Sequence, residues 1–119
     1  MKILIGGAGN AGRSVVDYLS QANNDIVVVD TDKQRLDELA KEFDVQTVVG
    51  SISHPGIMEK IGAKDADILI AITDNDEVNL VACQVAYTLF QIPKKIARVD
   101  SEYFLNPLWN TLYSDKNMP

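Results

Sequence analysis

An α/β domain wound on both faces of a parallel sheet is what this sequence predicts, and three observations predict it. The apolar runs are short and β-branched, and the stretches between them repeat apolar residues at helical period. The first run, Ile3-Leu4-Ile5, feeds directly into Gly7-Ala8-Gly9-Asn10-Ala11-Gly12. Strand-like and helix-like segments in alternation favour parallel strands joined by helical crossovers. A GxGxxG turn between strand and helix is a phosphate-binding fingerprint of the Rossmann-like fold. Gly7 permits the tight turn, Gly9 lets backbone approach a pyrophosphate, and Gly12 lets the helix pack close. The expected strand order is 3-2-1-4-5, with a sixth strand beyond residue 119.

Strands are expected at 2–6, 26–30, 46–50, 67–73 and 95–99. The first helix, 10–21, turns Val15, Val16 and Leu19 inward with Ala11 and Ala22, and Asn23-Asn24-Asp25 leads into strand two. Asp32 suits the N-cap of a second helix whose apolar stripe is Leu36, Leu39, Ala40 and Phe43. Pro55 opens a short helix that stops near Gly62. The fourth strand, 67–73, is apolar almost throughout, as an interior strand covered on both faces is. Asp74 and Glu77 have capping-box spacing for a long helix reaching Gln91. That helix is apolar nearly all round, so one side is expected in the domain and the other against a second surface. After strand five comes an amphipathic segment, 103–113, with Phe104, Leu105, Leu108, Trp109 and Leu112. Its apolar residues need a cover, for which packing under the sixth strand is one expectation. The chain reads as one nucleotide-binding domain, 1–119, from the N-terminal part of a longer protein.

Composition narrows the partners. Lys and Arg number 11 against 17 Asp and Glu, for a net charge of −6, and no stretch gathers the basic residues. Nucleic acid is not an expected partner, because phosphate-backbone binding rests on clustered Lys and Arg. One cysteine, Cys83, permits no intrachain disulfide and fits a reducing compartment. No apolar run approaches the roughly 18–20 residues that span a bilayer, so no direct membrane insertion is expected. Glycines after Ile5 interrupt any signal-peptide core.

Candidate ligand-binding residues cluster at strand ends. Asp30 closes the second apolar run, where a carboxylate accepts from both hydroxyls of an adenosine ribose at about 1.5–3 kcal/mol. The same charge repels a 2′-phosphate, which favours NAD-type over NADP-type ligands. Its plain alternative is a strand-ending residue. Ser51 stands after strand three, near an adenine edge or simply in a polar loop. Thr73 and Asp74 end the fourth strand beside the crevice where open α/β sheets bind ligands, and Asp74 also suits a cap. Arg98 is read as a charge inside an apolar strand, which needs a partner: a phosphate, Asp74 or Asp100. Arg13 either reaches a phosphate or pairs with Asp17. Asp76 and Glu77 suit the positive end of a helix better than a metal. His54 reads as a solvated loop residue and Cys83 as a small core residue.

Four stretches carry a family resemblance: MKILIGGAGNAGRS, NNDIVVVDTDKQRLDEL, DADILIAITDNDEVNLVACQVAYTLF and KIARVDSEYF. Together they cover nearly the whole chain, and it resembles the N-terminal nucleotide-binding (RCK/KTN, TrkA-N) domains of regulatory subunits of Trk potassium-uptake systems. The resemblance implies binding of NAD(H), or of ATP or ADP, without chemistry on it. It implies that Gly7, Ala8, Gly9, Asn10 and Ala11 contact the pyrophosphate, with Gly12 in the same turn. Asp30 would hold the ribose, Ser51 the adenine, Thr73 and Asp74 the far half of the ligand, and Arg98 phosphate or ribose. Some ATP-responsive relatives carry arginine where this chain has Asn10, so NAD(H) is the first expectation. The implied partners are a membrane-embedded potassium transporter subunit and further copies of the chain, as a dimer or larger ring, with the segment 103–113 packing on a neighbouring subunit. The implied location is cytoplasmic, peripheral at the inner face of the cell membrane. A second class, the cofactor-binding half of an NAD-dependent dehydrogenase, needs a general acid or base that nothing past residue 100 supplies. A methyltransferase normally carries an acidic residue on strand one, which Ile3-Leu4-Ile5 lacks.

Overall fold

Strands and helices alternate along residues 1–100, the part of the chain that the computed structural model describes. The strands are β1 (Lys2–Gly6), β2 (Asp25–Asp30), β3 (Gln46–Val49), β4 (Ile68–Ala71) and β5 (Lys94–Ala97). The helices are α1 (Asn10–Leu19), α2 (Lys33–Glu42), α3 (Pro55–Lys60) and α4 (Asp76–Phe90), with a 3-10 turn at Ala63–Asp65. All pairings are parallel and the order is β3-β2-β1-β4-β5, as the sequence predicts. The expected segment at 103–113 and the sixth strand lie outside the described residues.

Alternation along the interior strands separates two cores, because successive side chains point to opposite faces. One face carries Leu4, Val27, Val29, Leu69 and Ala71 against Met58 of α3 and Ala82, Cys83 and Ala86 of α4. The other carries Ile3, Ile5, Ile26 and Val28 against Val16 of α1 and Leu36 and Leu39 of α2. Buried side chains on both sides explain why β1 and β2 read as continuous apolar runs. They also fix the register, with Leu4 opposite both Val27 and Leu69.

Several expected boundaries move, each for a local reason. Helix α1 ends at Leu19 instead of residue 21, and Ser20 and Asn24 side chains donate to the carbonyls of Val16 and Leu19. Strand β4 stops at Ala71 instead of residue 73, because the Thr73 N–H turns away to Asn79. Strand β5 runs Lys94–Ala97, not 95–99. Ala40 and Ala22, expected to face inward, are exposed. The outer side of α4 is mixed, not apolar throughout: Val81 is 49% and Leu89 57% exposed, beside the exposed polar residues Glu77, Gln84 and Thr88.

Candidate functional site

The C-terminal ends of β1, β2, β3 and β4 converge on a crevice, and the glycine turn is its floor. Gly7 has φ of +116°, and a Cβ there would meet the Ile72 carbonyl oxygen at 2.8 Å. At Gly12 a Cβ would fall 1.9 Å from the Gly7 carbonyl oxygen, so the turn and α1 fit only without one. Gly9 differs. A Cβ there would meet nothing closer than Arg35 Nη1, at 3.7 Å, so this face of the turn is open to a ligand.

Helix α1 starts at Asn10 with Gly9 as its N-cap and no side-chain capping bond. Helices α2, α3 and α4 are each capped, by Asp32, His54 and Asn75. The first N–H groups of α1, which no carbonyl of the helix can reach, therefore retain the donors and dipole that favour an anion.

Asp30 stands beside them. Its Oδ2 accepts from the Ala8 N–H and its Oδ1 from the Asp32 N–H, both at 2.7 Å. One carboxylate thus clips the glycine turn to the β2–α2 loop, and each oxygen keeps a further lone pair for a hydroxyl. The structural and ligand readings of Asp30 coexist. Next to it a cavity of about 290 Å³ is bordered by Gly7, Gly9, Asp30, Ser51, Ile52, Thr73 and Val78 among others. Ser51 Oγ lies 2.9 Å from Ser53 Oγ. A second cavity, about 480 Å³, adjoins the start of α1 and is bordered by Ala8, Gly9, Asn10, Ala11, the carboxylates Glu38 and Asp74 and the arginines Arg13, Arg35 and Arg98, among others.

Across the crevice, Asn79 organises the far wall. It is fully buried, the one buried polar side chain among the described residues. Its Oδ1 accepts from Thr73 N at 2.9 Å and Thr73 Oγ1 at 2.6 Å. Its Nδ2 donates to the carbonyls of Thr73 at 3.0 Å and Arg98 at 2.9 Å. The ends of β4 and β5 are thereby tied through one amide.

The TrkA-N domain family model matches residues 3–114. This chain belongs to the TrkA-N family. It is 51% identical over 105 residues to the Trk system potassium uptake protein TrkA of Halomonas elongata, covering 88% of this chain and 23% of that protein. The chain thus spans about a quarter of the length of such relatives. Among solved structures, the GsuK channel bound to NAD superposes with a TM-score of 0.75 at 22% identity, over 92% of this chain and 20% of that one. The Kef C-terminal domain of Shewanella denitrificans in its AMP-bound form also gives 0.75 at 22% identity, over 88% and 65%. At such identity these two similarities speak to the fold.

Within this TrkA-N domain, Gly7 through Gly12, Asp30, Ser51, Thr73, Asp74 and Arg98 all border one crevice or its two cavities or, like Gly12, complete the turn beneath them. Three sequence expectations are corrected. Asp74 is not the cap of α4: Asn75 is, accepting from Val78 N at 3.1 Å. Asp74 is instead left 81% exposed at the crevice. Arg98 is not inside a strand but just past β5, and its Nε and Nη2 reach Asp100 Oδ2 at 2.9 and 2.7 Å. That hydrogen bond raises the Arg98 pKa and holds the Asp100 carboxyl below its usual range. Arg13 pairs with Glu42, not Asp17, and lies 5.7 Å from the Phe43 ring centroid.

Sequence reasoning passed over Asn79 and Arg35, and read His54 as a solvated loop residue; it is exposed as expected, with a capping role besides. His54 Nδ1 accepts from Gly56 N at 3.1 Å and caps α3. Asn79 had a signal: it shares the inward spacing of Ala82, Cys83 and Ala86, where an amide needs internal partners. Burial pushes the Cys83 thiol up to about 11, with Lys95 acting in the opposite direction, which favours the protonated thiol.

Proposed function

We propose that this TrkA-N domain is a non-enzymatic sensor of NAD(H), with ADP or ATP as the alternative ligands, in a cytoplasmic regulatory subunit that gates a membrane-embedded potassium transporter. The observation that carries nucleotide binding is the pairing of an uncapped α1 N-terminus with an acidic Asp30 across the open face of Gly9. Phosphates sit over Gly7 to Ala11, Asp30 takes the ribose hydroxyls, and Ser51 lies at the adenine. Thr73, Asp74 and Arg98 meet the far half of the ligand. The NAD of the GsuK channel and the AMP of the Kef C-terminal domain, two proteins that share this fold, support a nucleotide as the ligand. The uptake role rests on relatives such as that of Halomonas elongata. The exposed apolar residues Val81 and Leu89 support assembly through α4.

Calorimetric titration with NADH, NAD, ATP, ADP and AMP tests the ligand reading. Saturable heat with NADH is expected, and no heat with any of the five overturns it. For the transport role, potassium uptake by cells that carry the full-length subunit with Asp30→Asn should lose its response to nucleotide. An unchanged response removes the sensing proposal.

A further inference from the structure

Arg35 is oddly placed for a structural residue. It stands in the first turn of α2, where the helix dipole disfavours a cation, and its side chain is 48% exposed. Its Nε lies 3.6 Å from Asp32 Oδ2 and its Nη1 4.0 Å from Asp74 Oδ2. Both separations exceed hydrogen-bond length, so these carboxylates hold the guanidinium by charge alone. The same Nη1 is the nearest atom to the open face of Gly9, at 3.7 Å from a Cβ position there. Arg35 also borders both cavities, the one beside Asp30 and the one at the start of α1.

We propose that Arg35 makes the site selective for a diphosphate over a monophosphate, releasing Asp74 and closing onto the phosphates that cross Gly9. The inference rests on the nucleotide-binding reading above. The α1 N–H groups and Arg35 border the same cavity, whose 480 Å³ exceeds what one phosphate fills. A diphosphate engages both donors; a monophosphate held by the helix leaves the guanidinium with Asp74. Exchange of a carboxylate at 4.0 Å for phosphate oxygens at bonding distance favours the ligand, since the planar guanidinium fork matches phosphate two bonds at a time. Asn10 supplies no charge to the turn, and of the three arginines at this cavity Arg13 is paired with Glu42 and Arg98 with Asp100, which leaves Arg35 the most loosely held.

The test is calorimetric titration of the chain and its Arg35→Gln and Arg35→Lys variants with adenosine, AMP, ADP and NADH. Arg35→Gln should weaken ADP and NADH by roughly 10- to 100-fold and change adenosine and AMP by less than about twofold. Arg35→Lys should recover part of the loss, because charge returns without the fork. Thermal melting should barely move, since both ion pairs are exposed. Equal weakening of AMP and ADP, or no weakening of ADP, overturns the role of Arg35 while leaving the site standing. If the unmodified chain takes up none of the four, the site reading fails and this inference fails with it.

Discussion

Replacing Asn79 with alanine removes a buried amide that makes four hydrogen bonds to two loops. Three backbone groups lose their partner: Thr73 N, Thr73 O and Arg98 O. A hydrogen bond contributes about 1 kcal/mol net, and a buried group left unpaired costs about 1–3 kcal/mol. The three groups are only part-buried, so water can enter and the lower end applies to each, for a loss of about 3 kcal/mol. Urea unfolding followed by circular dichroism measures it as a lower midpoint at unchanged slope. Asn79→Asp is the sharper companion. It keeps the acceptor toward Thr73 but points a carboxylate at two carbonyls, and burial raises the pKa of such a group. A raised folded-state pKa in an acid means stability that falls as pH rises. The destabilisation of Asn79→Asp should therefore grow from pH 4 to pH 7, whereas that of Asn79→Ala should stay flat. A loss below about 1 kcal/mol for Asn79→Ala, or no pH trend for Asn79→Asp, would refute the view that this amide holds the far wall together.

Other expected outcomes follow from the same contacts. Gly12→Ala should unfold or severely destabilise the domain, since its Cβ would lie 1.9 Å from a carbonyl oxygen, while Gly9→Ala should leave the melting temperature nearly unchanged and weaken NADH binding. Paired denaturation and titration separate the two, and equal effects on stability would contradict the division of labour in the turn. Asp30→Asn should lower both NADH affinity and stability, because each carboxylate oxygen already holds a backbone N–H; a binding defect with full stability would show that the clip is dispensable. Cys83 should resist thiol reagents at pH 8 in the folded chain and react on unfolding, given a pKa of about 11, and fast labelling of native protein would disprove its burial.

The fold was legible because it is written in periodicity. Uninterrupted apolar runs such as Ile26 to Val29 are what a two-sided parallel sheet requires, and Gly7 and Gly12 occupy positions where a side chain collides with backbone. Asp32 as a cap was legible for the same reason, since capping depends on neighbours in sequence. What escaped depends on contacts distant in the chain. The partner of Arg13 is Glu42, on another helix, and local spacing suggested only Asp17. Asp74 and Asn75 are both good caps, and which one serves is decided by where β4 ends. Asn79 decides that by turning Thr73 aside. The Arg98 side chain seemed to need a buried partner because strand five was expected to run two residues further. With β5 ending at Ala97, an exposed pair with Asp100 suffices.

These contacts divide the rim of the crevice into two clipped groups. Asp30 binds the glycine turn to the β2–α2 loop, and Asn79 binds the end of β4 to the end of β5. Between the groups runs the Arg35–Asp74 ion pair, at 4.0 Å and well exposed on both sides. An exposed pair of that length contributes little to stability, so the side chains of the rim are tied within each group and only loosely across it, above the β1–β4 pairing and the Ile72 N–H to Gly6 carbonyl bond that join the strands beneath. A nucleotide lying from Asp30 over Gly9 toward Thr73 would join what the ion pair joins loosely. Its binding energy would then be available to select one arrangement of these rim loops and side chains, and a difference in affinity between arrangements is the requirement for a ligand that shifts an assembly between states. Hydrogen exchange at Thr73 to Val78 and at Ala8 to Ala11 should slow together on NADH binding. Protection confined to the glycine turn would mean that the ligand occupies one group only, and that occupancy is not transmitted through this rim.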